Sequence, residues 1–200
     1  HVARDLVERR IDEAHELDLD HRLHARGRHA DRGAGDESLR QRRVEDALGA
    51  EALLRWRHPE QGLLEPSAFI SVAEDSGLIQ PIGEIVLRAA CHAARAWTAA
   101  GLGELFVSVN LSPREFRGRS LLPMVSQALV DSGLDADRLE VEITEASLMR
   151  DLDKAEQVLV GLQTMGVRIA LDNFGTGYSS LSNLRRFPVS VLKIDGRFVR

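Results

Sequence analysis

Short runs of alternating hydrophobic and polar residues are separated along this chain by longer amphipathic stretches. Residues 48–56 (LGAEALLRW) put Glu51, Leu53 and Arg55 on one side of an extended segment and Ala52, Leu54 and Trp56 on the other. HPEQG follows as a turn, with Pro59 and Gly62 as punctuation. The spacing predicts a helix over 66–78, opened near Pro66 and closed at Ser76-Gly77, and a longer helix over 82–100 closed by Gly101. Trp97 on that helix reads as core. A strand over 105–111 sets Ser108 and Asn110 against Val107 and Val109, and a helix over 121–131 ends at Ser132-Gly133. A strand over 139–144 (LEVEIT) sets Glu140, Glu142 and Thr144 against Val141 and Ile143. One helix is expected over about 147–165, ending at Gly166. The strand over 167–171 has Val167, Ile169 and Leu171 opposite Arg168, Ala170 and Asp172, and runs into the glycine-bearing loop DNFGTGYSSL. A short helix over 180–187 leads to a last strand, where Val189, Val191, Lys193 and Asp195 share a face opposite Ser190, Leu192 and Ile194.

Strand, helix, strand in repetition argues for an α/β fold with a parallel sheet and helices outside it. Two features favour a (β/α)8 TIM-like barrel over an open sheet. No glycine-rich phosphate fingerprint follows the first strand. Each strand also carries an acid, amide or lysine at or near its C-terminal end, where a barrel assembles a site from several strands. About five parallel strands, near 50, 108, 142, 170 and 192, are visible. A closed barrel needs roughly eight, so the barrel is expected to be incomplete here.

Residues 1–46 differ from the rest. They are crowded with Arg, Asp, Glu and His, and hold no aromatic residue and no lysine. They read as a polar lead-in, disordered or partly helical, before a packed domain over 47–200. His15, His21, His24 and His29 lack the spacing and companion ligands of a zinc site. The formal net charge of -5 gives no argument for nucleic acid or an anionic membrane as partner, so no DNA is expected. No apolar run approaches the roughly 18 residues of a membrane span. The lone Cys91 cannot form an intrachain disulfide and fits a reducing, cytoplasmic compartment.

Lys193 then asks for a reason, because the chain has two lysines in all and this one sits within an apolar strand. Unpaired and buried, it would cost several kcal/mol. The inward polar positions are Glu51, Asn110, Glu142, Asp172 and Lys193, with Arg55 close by. The donors are hard oxygens without Cys or His, which suits Mg2+ or Mn2+ rather than zinc. Three carboxylates and an amide could hold two such ions for phosphodiester cleavage. Lys193 would then act on the water and Arg55 on a phosphate oxygen.

Those residues resemble a known family. EAL at 51–53, PSAFISVAEDSGLI, Asn110 in SVNLSP, EITE at 142–145, DNFGTGYSSL at 172–181 and KIDGRFV at 193–199 are similar, in order, to the motifs of the EAL domain. The resemblance implies a modified TIM barrel that hydrolyses cyclic di-GMP to linear pGpG in bacterial second-messenger signalling. It implies metal ligation by Glu51, Asn110, Glu142 and Asp172, and also at position 173. Lys193 becomes the residue acting on water, Arg55 a phosphate contact, and Glu145 the anchor of the 172–181 loop that links the site to a dimerisation surface. A homodimer and an upstream sensory or GGDEF domain are the implied partners. Three departures accompany it. Asn173 stands where the family usually has a second aspartate, which weakens binding of one metal. The AEGVE-like and QGY-like motifs do not follow KIDGRFVR, and no YQPI-like first strand is recognised in 1–46. A degenerate module that binds cyclic di-GMP or a protein without hydrolysis is therefore the alternative expectation, and a fragment that does not fold alone is a third.

Overall fold

Alternation decides which face of each strand is covered. The computed structural model describes residues 17–25, 47–175 and 186–194, with the first stretch and residues 47–48 as backbone only. Seven strands form one sheet: β1 (Leu17–Ala25), β2 (Ala47–His58), β3 (Gly62–Leu64), β4 (Phe106–Asn110), β5 (Leu139–Thr144), β6 (Arg168–Phe174) and β7 (Val191–Ile194). β2, β4, β5, β6 and β7 run parallel in chain order, while β1 and β3 flank β2 antiparallel. The five expected strands are thus the parallel ones. The segment expected as a polar lead-in supplies β1, and HPEQG turns the chain into the short β3. His58 Nδ1 secures that turn by accepting from the backbone N–H of Glu60 (3.1 Å) and Gln61 (3.2 Å).

Val107, Val109, Val141, Ile143, Ile169 and Leu171 face the helices, and all are buried. The helices are α1 (Ile70–Ser76), α2 (Ile79–Ala99), α3 (Pro113–Phe116), α4 (Leu121–Ser132), α5 (Glu145–Met149) and α6 (Leu152–Thr164). α2 packs on α4, α4 on α6, and α6 on β6. Strand order never reverses, so the sheet is wound in one direction like a barrel wall, unlike a doubly wound open sheet. α2 buries Ile79, Ile82, Val86, Leu87, Ala90, Cys91 and Ala94, a stripe at helical spacing. Leu87 is fully buried, and truncating such a leucine to alanine costs about 3 kcal/mol. Trp97 packs against this core, as expected.

Three helix expectations change. Residues 66–78 split into a 3-10 turn (Pro66–Ala68) and α1, because Phe69 at φ -137 interrupts the helical path. α2 begins at Ile79, with Pro81 tolerated in its first turn, where backbone N–H groups have no helical acceptor. The single helix over 147–165 is two, α5 and α6. Asp151 is extended (φ -156, ψ 91) and its carboxylate accepts from Lys154 N at 3.2 Å, so it ends one helix and caps the next.

Candidate active site

The face of the sheet away from the helices carries the polar side chains. Parallel register places Glu51 beside Ser108, Asn110 beside Glu142, Glu142 beside Ala170 and Thr144 beside Asp172. Each acid has found a donor from within the group. Asn110 Nδ2 donates to Glu51 Oε1 at 2.8 Å. Lys193 Nζ donates to Glu142 Oε1, pairing a side chain on β7 with a buried one on β5. Asn173 Nδ2 donates to Asp172 Oδ2 at 3.0 Å. The partner that Lys193 needed is therefore Glu142. On the intervening β6, the fully buried Ala170 lies in register between Glu142 and Val191.

The β6–β7 ladder shifts register between Leu171 and Phe174, so Asp172 and Asn173 stand at an irregularity at the rim, where strands re-aim side chains. Asn173 has φ 54, a left-handed conformation that asparagine accepts more readily than most residues. Just beyond, Glu145 Oε2 accepts the N–H of Gly175 at 3.0 Å, with the glutamate only 2% exposed. Glu145 thus holds the start of the 172–181 loop. The rest of that loop, most of the short helix expected over 180–187, and Asp195 lie outside the described residues. Arg55 donates to Leu54 O at 2.9 Å and lies 3.8 Å from Glu65 Oε1.

The donor set fits a hard divalent cation in kind, being carboxylate and amide oxygen without sulphur or imidazole. In position it is not yet gathered: among the described residues no three Asp, Glu, His or Cys side chains converge tightly enough to hold an ion. Their charge is met instead by Lys193 and the two amides.

Sequence reasoning missed two acids near the site. Glu140, one step below Glu142 on β5, lies 3.2 Å from Arg168, and burial raises its carboxyl pKa against the pull of Arg168 and Lys193. Glu115 forms a capping box with Ser112, accepting Ser112 N at 2.9 Å while Ser112 Oγ accepts Glu115 N at 3.2 Å. The spacing Ser-Pro-Arg-Glu carried that signal. Burial also pushes Glu115 up, and its carboxyl leaves no room at Gly83, where a Cβ would sit 1.7 Å from Glu115 Oε1. Glu115 and Gly83 line a cavity of about 290 Å³ next to Asn110, walled by Leu54, Ile70, Ile82 and Val109.

The sequence profile of the EAL domain matches residues 40–200. The chain belongs to the EAL domain family. Its EAL domain is 46% identical over 152 residues to the bifunctional diguanylate cyclase/cyclic di-GMP phosphodiesterase MucR of Pseudomonas aeruginosa, covering 76% of this chain and 22% of MucR. It is 46% identical over 149 residues to the cyclic di-GMP phosphodiesterase NbdA of the same organism, covering 74% of this chain and 19% of NbdA. The chain thus spans about a fifth of the length of these curated relatives. A solved structure of the PaMucR phosphodiesterase in complex with c-di-GMP superposes with a TM-score of 0.81 at 38% identity, covering 98% of this chain and 73% of that one. The fold is thereby that of the EAL domain, a TIM-like barrel of which the described strands form part of the wall. No helix among the described residues is long and apolar enough to cross a membrane.

Proposed function

We propose that this EAL domain hydrolyses cyclic di-GMP to linear pGpG: one P–O bond forms to the oxygen of water and one P–O3′ bond breaks, which opens the ring. The observation that carries the reading is the row of Glu51, Asn110, Glu142 and Asp172 on four neighbouring strands, with Lys193 paired to Glu142. Metal dependence is a feature of the family. Mg2+ or Mn2+, as a pair of ions, supplies Lewis acidity toward the phosphodiester when bound. Glu51, Asn110, Glu142 and Asp172 would hold it, with the carbonyl of Asn173 as a weaker neighbour. Lys193 Nζ orients the attacking water, and Arg55 grips a non-bridging phosphate oxygen with its planar fork. Glu145 fixes the strand-to-loop path through Gly175, keeping Asp172 in register.

The domain works, on this reading, in the cytoplasm, within a longer signalling protein and as a homodimer through the 172–181 region. The test is conversion of cyclic di-GMP with Mg2+, followed by chromatography. Glu51→Ala and Lys193→Ala should each lower turnover at least about 100-fold. Full turnover in Glu51→Ala would refute the metal role. A second reading, a module that binds the dinucleotide without cleaving it, is favoured by Asn173 in place of an acid. A folded chain whose melting rises with cyclic di-GMP yet shows no turnover would select it.

A further inference from the structure

The cavity of about 290 Å³ lies between the strands and the helices that cover them. Its walls are apolar: Leu54 of β2, Val109 of β4, Ile70 of α1, and Ile82 and Val86 of α2. Leu54 is on the opposite face of β2 from Glu51, and Val109 on the opposite face of β4 from Asn110, because side chains alternate along a strand. The cavity therefore stands back to back with the row of acids, and its lining reaches the strand ends at Asn110 and Thr144. Glu115 is the one charged residue among the described residues that line it, and it is 5% exposed. The capping box engages one oxygen of that carboxylate, Oε2, which accepts Ser112 N. Oε1 occupies the space that a Cβ on Gly83 would fill, and accepts no hydrogen bond among the described residues. Burial pushes this carboxyl up, the bonds from Ser112 oppose that, and the charge of Glu74 on α1 adds a smaller upward push.

These features select an occupant. The volume is about twice that of an engineered apolar cavity of roughly 150 Å³ that stays dry and takes up benzene, so two fused rings with a short arm fit. Water is a poor occupant, since a buried molecule needs two to four polar partners and these walls offer few. The free oxygen is held in place by the cap, and a buried carboxylate without a full set of donors is costly. A cation of the right size offsets that cost, because a charge-assisted bond is stronger than a neutral one. We propose that this cavity is a second ligand site, for a small aromatic amine: its rings lie between Leu54, Val109 and Ile82, and its ammonium donates to Glu115 Oε1. The site does not depend on the reading of the opposite face as a phosphodiesterase centre.

The probes are tryptamine and tryptophol, the same molecule with a hydroxyl in place of the ammonium. Calorimetry on the whole chain should show tryptamine binding saturably with a dissociation constant of about 1 mM or lower. Tryptophol should bind about tenfold more weakly. Glu115→Gln leaves the cavity but removes the charge, and should bring the two probes within about twofold of each other. Ile70→Trp fills the cavity from a half-buried position at its wall and should abolish binding of both. If circular dichroism shows Ile70→Trp unfolded, Gly83→Ala asks the same question, since its methyl displaces the Glu115 carboxyl and should weaken tryptamine at least about fivefold. Three results each overturn the proposal: no saturable binding of tryptamine, equal affinity for the two probes in the wild type, or unchanged tryptamine affinity in Glu115→Gln and in the cavity variant. The last would place the amine on the acids of the opposite face.

Discussion

Two cations at opposite ends of the sheet, Arg138 buried and Lys193 half-buried, show what separates a structural charge from a chemical one. Arg138 lies just before β5, 6% exposed, and is paired with no carboxylate among the described residues. Its guanidinium donates to Leu105 O (Nε at 3.1 Å, Nη2 at 2.7 Å), to Ala94 O at 3.2 Å and to Thr98 Oγ1 at 2.6 Å. Ala94 and Thr98 belong to the last turns of α2, so the positive charge meets the negative end of that helix. All three nitrogens of the fork donate to the fold. Lys193 instead is paired, among the described residues, with Glu142 alone, an acid that the proposed function also needs as a metal ligand. A charge whose donors are committed to the carbonyls and a hydroxyl of the fold is there for stability. On the proposed reading, the charge at Lys193 is there for chemistry.

The contrast is broken most sharply at Arg138. Arg138→Met should destabilise the chain by about 3 kcal/mol, since it leaves two buried carbonyls and a hydroxyl without their donor. Urea denaturation measures this, and Mg2+ affinity measured on the folded variant should stay at the wild-type value. A loss of metal affinity without loss of stability would reverse the roles assigned to the two ends.

Gly83→Ala probes packing at the site end. The added methyl meets the Glu115 carboxyl, which is fixed by both halves of its capping box, so α3 loses its cap or α2 shifts. The expected cost is about 1.5 kcal/mol, smaller than at Arg138 because a side-chain end can give way. A shift of the melting midpoint reads it, and an unchanged midpoint would mean that the cap is dispensable.

Asn173→Asp sharpens the other side of the comparison. It adds an anion beside Asp172 and removes the amide that now donates to it. Mg2+ binding should tighten by about tenfold in calorimetry, while the metal-free chain loses a few tenths of a kcal/mol to like-charge repulsion. Equal metal affinity in both proteins would remove position 173 from the ligand set.

The parallel strands and the acids on them were legible because a period of two, together with an interior polar residue on each strand, is a strong local signal. β5 was bounded to the residue, Leu139–Thr144. What escaped depended on partners far away in sequence or on single residues. β1 was read as lead-in, although Leu17, Leu19 and Leu23 alternate with acids and bases; charges on the remaining positions hid the period. The break between α5 and α6 rests on Asp151 alone, whose capping role was written in Asp151-x-x-Lys154 but overlooked within a helical pattern. Arg138 could not be found at all from sequence, since its acceptors belong to residues 94, 98 and 105.

The smallest effect concerns an acid that, unlike Glu142, has no cation. Burial raises the Glu115 carboxyl above its ordinary value of 4.5, against the opposing pull of its bonds from Ser112. The folded chain therefore binds this proton more tightly than the unfolded chain does. Below pH 4.5 both states carry it and the burial of charge costs nothing. As pH rises from there, the unfolded chain ionises first, so stability falls until the folded carboxyl has also ionised, and is level above that. Glu115→Gln keeps an acceptor for Ser112 N but cannot ionise. Wild-type stability relative to this variant should thus decline with rising pH across that window and be flat below it, as read from denaturation midpoints at a series of pH values. Glu140, also raised by burial, is present in both proteins and cancels. A relative stability that climbed with pH would mean that the Ser112 bonds outweigh desolvation, and that the site end holds its acids as firmly as the other end holds Arg138.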